Sequence, residues 1–204
     1  MTETSRPARS PSRFVVVEGA NGSGKTSVAQ ALAAQLRSRK TQPVHETREP
    51  SDTPLGRAIR ELEASMPSRA LALACAADRV DHLTREIEPK LTLGTMVICD
   101  RFLPSSLVLQ RLDGLSLEEI WQLNEGLRSP DIMVYLEAAP ETLRERLTKR
   151  PRRSRFEESA KSEVELEFYR DARAFLSERG WPGSVINTEG RSAEQVAAEI
   201  ALWL

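Results

Sequence analysis

Lys25 and Thr26 close the run Gly19-Ala-Asn-Gly-Ser-Gly-Lys-Thr26, which matches G-x-x-x-x-G-K-[ST], a spacing suited to polyphosphate. Gly19, Gly22 and Gly24 allow backbone angles that a Cβ would forbid, so successive N–H groups can point inward and form an anion nest at the positive end of a helix. Asn21, Ser23 and Ser27 complete the loop and its exit. Lys25 would bring an ammonium to the outer phosphates, and the Thr26 hydroxyl would ligate the magnesium ion that travels with a nucleotide. A plain glycine turn carrying a surface lysine is the competing reading. The flanking pattern of strand and helix speaks against it.

A second set of chemistry-bearing residues follows another apolar run. Thr95-Met-Val-Ile-Cys99 leads straight into Asp100-Arg101. Asp100 is the natural partner for magnesium, directly or through its shell. Arg101 cannot act as a base and can only stabilise phosphate charge. No Asn-Lys-x-Asp motif for reading guanine is present. Arg144, Arg146, Lys149, Arg150, Arg152, Arg153 and Arg155 form a basic cluster between two helical patterns, where it could close over a triphosphate as a lid. Phosphoryl transfer needs cations around an in-line path and exclusion of water, and little else from the protein. Plainer readings compete here too. The cluster could be a solvated face paired with Glu157, Glu158, Glu163 and Glu165, Arg101 a structural ion pair, Arg48 an ordinary loop arginine and His82 a helix-face residue.

These residues need elements to carry them. The run from Phe14 that breaks into Gly19 reads as a strand and Val28 to Leu36 as the helix after the loop. A short strand around Pro43 to Thr47 precedes Arg48-Glu-Pro-Ser-Asp-Thr-Pro54, whose two prolines mark a loop. Leu55 to Ala64 reads as a helix, and Ala70 to Pro89 as a buried helix ended by proline. Helical patterns over 103–111 and 116–126 come next, the second opened by the capping box Ser116-Leu-Glu-Glu119. Asp131 to Leu136 is a fourth strand, Pro140 to Thr148 a helix, and Phe156 to about Arg179 an acidic helix. Gly183 to Asn187 is a fifth strand, and Ser192 with Gln195 caps a last helix. Alternating strands and helices imply an α/β fold, a parallel sheet with helices on both faces. Ligands in such sheets lie beyond the carboxyl ends of the strands, where Gly19 to Thr26, Arg48, Asp100 and Arg101 fall.

Composition sets the outer limits. The chain has 204 residues, 40% hydrophobic and 29% charged, with a net charge of −1. That suits one domain with a full core, read as residues 13–204 after a disordered tail over 1–12, and it argues against nucleic acid as the main partner. No apolar run approaches the roughly 18 residues a membrane helix needs, and no secretory core segment opens the chain, so a cytoplasmic location is expected. Cys75 and Cys99 lie in apolar patterns and are expected as buried, reduced thiols, too few with the two histidines for a zinc site.

Taken together these residues resemble the thymidylate (dTMP) kinases, P-loop nucleoside monophosphate kinases, from Phe14 to about Gly190. The resemblance rests on Val17-Glu-Gly-Ala-Asn-Gly-Ser-Gly-Lys-Thr26, Thr47-Arg-Glu-Pro50, Ala76-Ala-Asp-Arg79, Val97-Ile-Cys-Asp-Arg-Phe102 with Ser105-Ser106, Pro130-Asp131 before a strand, and Arg155-Phe-Glu157. It implies a three-layer P-loop kinase fold, with a five-stranded parallel sheet and a short Arg-rich lid at about 149–157. It implies ATP with magnesium on the P-loop, Arg48 and Arg101 on the monophosphate, Arg79 facing the base, and Glu18, Cys75, Ser105, Ser106 and Leu109 lining the acceptor side. Ser23 stands where some members carry a P-loop arginine, so the resemblance places the catalytic arginines in the lid, as Arg150 and Arg155 beside Lys25, Asp100 and Arg101. It further implies a homodimer. Departures cluster on the acceptor side: Cys75 for a stacking phenylalanine, Leu109 for a tyrosine near the deoxyribose, Asn21 for an aspartate, Ser51-Asp52 for Gly-Gly, and Ser154 for a lid aspartate. The expected reaction is transfer of the ATP γ-phosphoryl group to dTMP. The alternatives are a kinase of the same architecture for another nucleotide or phosphorylated metabolite, and a nucleotide-binding regulator without transfer activity.

Overall fold

The computed structural model describes residues 12–149 and 162–204. The expected tail over 1–12 therefore falls almost wholly outside the described residues, as do Arg150, Arg155 and most of the expected lid.

Strand β1 (Phe14–Gly19) is the centre of the sheet and is buried along its whole length. The order is β2-β3-β1-β4-β5, every pair parallel, with β2 at Val44–Arg48, β3 at Met96–Asp100, β4 at Ile132–Glu137 and β5 at Ser184–Asn187. Phe14 and Val16 face one core layer, with Phe102, Tyr135, Tyr169 and Trp181. Val15 and Val17 face the other, with Val28, Leu32, Ile98 and Ile200. Burial on both faces is why β1 and β3 read as continuous apolar runs rather than alternating ones. Each such side chain contributes about 1.5–3 kcal/mol by leaving water.

Helix α1 (Lys25–Arg39) and a C-terminal helix (Ala193–Ile200) cover the second layer. The C-terminal helix opens on the expected Ser192/Gln195 capping box. On the first layer lie α5 (Leu103–Leu112) and α8 (Ser162–Ser177), with α7 (Pro140–Thr148) between β4 and the undescribed segment. Helices α2 (Pro54–Leu62) and α3 (Ser68–His82) stand beyond the sheet's carboxyl edge and wall the cleft described below.

Two expected helices are corrected. The pattern ending at Pro89 continues instead: α3 stops at His82, Leu83–Ile87 forms a π turn, and α4 (Glu88–Thr92) runs through the proline. Proline lacks an N–H and its ring crowds the preceding turn, so a regular ladder cannot pass it. Widening that turn, with Glu88 N–H bonded to Leu83 O, carries the chain through. The second helix, α6, spans Leu117–Gln122 and stops short of 126. Asn124 ends it by donating Nδ2 to Ile120 O at 2.7 Å, which leaves Oδ1 for the site.

Candidate active site

Register sets the site. Asp100 lies opposite Val17 on one side and Arg48 on the other, so β2 and β3 end level and β1 runs on to Gly19 and the loop. The loop after β1 needs its glycines for contact as well as angle. A Cβ on Gly19, at φ 141°, would stand 2.4 Å from Leu136 O, and one on Gly22, at φ 87°, 2.7 Å from Leu143 O. The loop is thereby pressed against β4 and α7, and its N–H groups stay grouped at the start of α1.

Lys25 is folded into this loop, donating Nζ to Gly19 O at 2.6 Å and Ala20 O at 2.9 Å. Burial, reinforced by the charge of Arg101, lowers its pKa to about 7. A polyphosphate delivered to the nest would restore the charge. Asn21 N–H donates to Glu165 Oε1 of α8 at 2.8 Å, so the loop is pinned by a carboxylate just after the undescribed segment.

Thr26 Oγ1 donates to Asp100 Oδ2 at 2.5 Å. Asp100 Oδ1 is buried and has no hydrogen-bond partner among the described residues. A hydroxyl beside an unspent carboxylate oxygen is an oxygen-donor pair that suits magnesium. No cluster of three His, Cys, Asp or Glu side chains able to hold a metal occurs among the described residues, so any ion would draw its other ligands from nucleotide and water.

Arg101 follows with φ 75°, a left-handed conformation uncommon for a non-glycine residue, and its N–H donates to Val17 O at 3.1 Å. That turn throws the guanidinium back to the P-loop: Nη2 reaches Asn21 Oδ1 at 2.6 Å and Nη1 reaches Ser105 Oγ at 3.1 Å. Glu18 holds the turn from beneath. Its carboxylate accepts from Phe102 N–H at 2.6 Å, Ser105 N–H at 3.2 Å, Ser105 Oγ at 2.9 Å and Tyr169 OH at 3.2 Å. It is wholly buried, which pushes its pKa up. Glu18 therefore lies behind the cleft wall rather than in it.

The cleft has a volume of about 510 Å³ and is lined by Asn21, Thr26, Arg48, Cys75, Arg79, Asp100, Arg101, Ser105, Ser106 and Leu109, ten positions singled out from sequence. Arg79 is 3% exposed and tightly held: Nε donates to Glu49 Oε2 at 2.7 Å, Nη1 to Asn124 Oδ1 at 2.5 Å and Nη2 to Ser106 Oγ at 2.8 Å. His82 is buried behind it rather than on an open helix face, with Nδ1 3.4 Å from Glu49 Oε1 and Nε2 2.8 Å from Thr47 Oγ1. Cys99 is buried as expected. Cys75 is half-buried, not enclosed in the core, and its thiol looks into the cleft with a pKa pushed up by burial to about 11, so it stays a neutral thiol.

Sequence reasoning gave four residues here no role. Gln110 is 3% exposed and lines the cleft, its Oε1 lacks a partner among the described residues, and its Nε2 reaches only Cys75 Sγ at 3.8 Å. Asp78 holds the loop after β2 through Ser51 N–H at 2.7 Å and Ser51 Oγ at 2.6 Å. Asn124 and Arg60 complete the set. Asp78 stood in the quoted motif Ala76-Ala-Asp-Arg79 without a role of its own, and for the other three the only sequence signal was polar residues spaced among apolar ones on helical patterns, which is equally the signal of a solvent face. Of the basic cluster, Arg144 pairs with Glu141 and Glu163, as a solvated face would, while Arg146 turns inward to Thr188 O at 3.1 Å.

A P-loop at one strand end, an arginine thrown back onto it from the next, and a separate walled cleft opposite define a P-loop phosphotransferase. A family model described as thymidylate kinase matches residues 17–200. A probable thymidylate kinase of Pyrobaculum aerophilum is 36% identical over 195 residues, covering 92% of this chain and 94% of that protein. One of Methanococcus aeolicus is 34% identical over 193 residues, covering 92% and 93%. A thymidylate kinase of Synechococcus is 44% identical over 135 residues, covering 63% and 66%. The chain belongs to the thymidylate kinase family, and it is an enzyme of the phosphotransferase class.

Proposed function

We propose that this chain transfers the γ-phosphoryl group of ATP to dTMP, giving ADP and dTDP without a covalent enzyme intermediate. The observation that carries the reading is the 2.6 Å bond between Arg101 and Asn21 of the P-loop, because it brings the acceptor cleft and the nucleotide loop to a shared boundary. ATP would lie with its phosphates in the loop from Gly19 to Thr26 and Ser27, and dTMP in the cleft with its phosphate toward Arg48 and Arg101. Lys25 would leave the carbonyls of Gly19 and Ala20 for the transferring phosphoryl group. Arg101 would neutralise charge between the two substrates. Thr26 and Asp100 would hold magnesium, which when bound offsets phosphate charge. Arg150 and Arg155, outside the described residues, are proposed to close over the triphosphate and exclude water. A single domain, a homodimer and a cytoplasmic location belong to the same reading, with neither nucleic acid nor membrane as partner. Among the described residues no helix is long and apolar enough to cross a membrane.

The unpartnered amide oxygen of Gln110, with its nitrogen held only by the long contact to Cys75 Sγ among the described residues, supports a pyrimidine-dione as the base. Its oxygen can accept from the ring imide N–H while its nitrogen donates to the adjacent carbonyl, a pair that would satisfy a buried acceptor now without a partner. Cys75 and Leu109 offer apolar contact but no aromatic face. The test is ADP release with magnesium ATP and a panel of dTMP, dUMP, UMP, CMP, dCMP, AMP and GMP. A strong dTMP preference is expected. Turnover confined to another monophosphate, or none at all while ATP still binds, would overturn the reading.

A further inference from the structure

Two arginines of the cleft converge on one exposed atom. Asp52 Oδ1 accepts from Arg48 Nε at 3.2 Å, Arg48 Nη2 at 2.7 Å and Arg60 Nη2 at 3.0 Å. Arg48 and Arg60 both line the cleft, one from the end of β2 and one from α2. The Asp52 side chain is 67% exposed. The loop around it is locked by other groups. Ser51 is bonded to Asp78, and Thr53 Oγ1 reaches the same carboxylate at 3.1 Å while capping α2 through Gly56 N–H at 3.2 Å. Arg57 donates to the Asp52 backbone carbonyl, and Arg60 Nη1 to Ser51 O at 2.8 Å. None of these bonds uses the Asp52 carboxylate. The side chain can therefore turn away from both guanidinium groups while the loop and the backbone anchor of Arg60 stay in place.

We propose that Asp52 is a placeholder anion: it occupies a phosphate subsite formed by Arg48 and Arg60, and the acceptor's phosphate displaces it. The inference rests on the reading that the cleft takes a nucleoside monophosphate. It adds Arg60 as a phosphate-binding residue and Asp52 as a specificity-determining one. The exchange favours double charge. A singly charged ligand replaces one carboxylate with an equivalent anion, whereas a phosphate monoester near neutral pH brings almost two charges and three acceptor oxygens to the same pair. Because the resident ion pairs are largely exposed, displacing them costs little. Removing the carboxylate should thus tighten phosphate binding and relax selectivity for charge.

The test is Asp52→Asn, which keeps the shape and removes the charge. Calorimetry would compare dTMP, its singly charged monomethyl phosphate ester and uncharged thymidine. In Asp52→Asn, dTMP should bind roughly three- to tenfold more tightly. The monomethyl ester should gain more than dTMP does, which narrows the preference for double charge, and thymidine should not change. Asp52→Glu should restore wild-type selectivity. An unchanged or weaker dTMP affinity, or a thymidine shift equal to that of dTMP, would overturn the proposal. Inorganic phosphate separates this from the reading it rests on. If the wild type does not take dTMP, Asp52→Asn should still tighten phosphate, and Arg60→Gln in that background should erase the gain. Equal phosphate affinity in both proteins would sink the Asp52 role whatever the acceptor is.

Discussion

Lys25 shows how one residue carries opposite requirements. Its ammonium serves transfer only when phosphate is present, yet the same burial that places it lowers its pKa from an ordinary 10.5 to about 7. Between those values the unfolded chain holds a proton that the folded chain has lost, so stability rises as pH increases from about 7 toward 10.5. Lys25→Met removes that contribution. Melting temperatures of nucleotide-free wild type and variant should diverge in the wild type's favour as pH rises through this window, and parallel curves would contradict the burial argument. The same variant should lose at least about a hundredfold in kcat, as expected for removing a principal charge-stabilising group. His82 titrates the other way. Burial opposes its charge, but the hydrogen bond and charge of Glu49 outweigh it and raise its pKa above 6.5. Its charged form stabilises the fold fully below pH 6.5, and that contribution is lost as pH rises through the raised folded value. The stability gap between wild type and His82→Gln should be widest in acid and shrink in base. A gap independent of pH would show that His82 stays neutral.

Helix α2 is placed by one close approach. A Cβ on Gly56 would stand 2.1 Å from Ser51 O, so only glycine lets the first turn of α2 press on the loop after β2. Gly56→Ala should cost about 1–3 kcal/mol, as overpacking does, seen as a lower urea midpoint. Because that loop continues directly from Arg48 and carries Asp52, its ion-pair partner, the acceptor KM should rise while the ATP KM holds. Equal changes in both constants would mean that α2 does not govern the acceptor side separately. The turn from β3 into α5 is positioned differently, by hydrogen bonds to Glu18 beneath it together with the packing of Phe102, and this is why Glu18 matters to Arg101 without lining the cleft.

At the scale of the molecule, β1 is shared by both core layers, so neither layer has a sheet of its own. Unfolding should be one transition: in a Trp203→Phe background, tryptophan fluorescence from Trp121 and Trp181, on one layer, should coincide with the far-ultraviolet signal of the whole. Phe102→Ala, which empties the contact with Phe14 and Trp181, should lower stability by about 3–5 kcal/mol with both probes still coincident. Separate midpoints would contradict a shared core. Sequence alone determined the nucleotide loop, the parallel sheet and the level of Asp100 and Arg101, because these depend on local spacing: glycines at fixed offsets, apolar runs of strand length, a charge directly after each run. The helix running past Pro89, the burial of His82, the withdrawal of Glu18 behind the wall, the arrival of Gln110, Asp78 and Arg60 at the cleft and the support of Arg79 by Asn124 were decided by tertiary structure. A polar residue on a helix has the same local pattern whether it meets water or a ligand, and only the packing of α3 against α5 and β2 settles which.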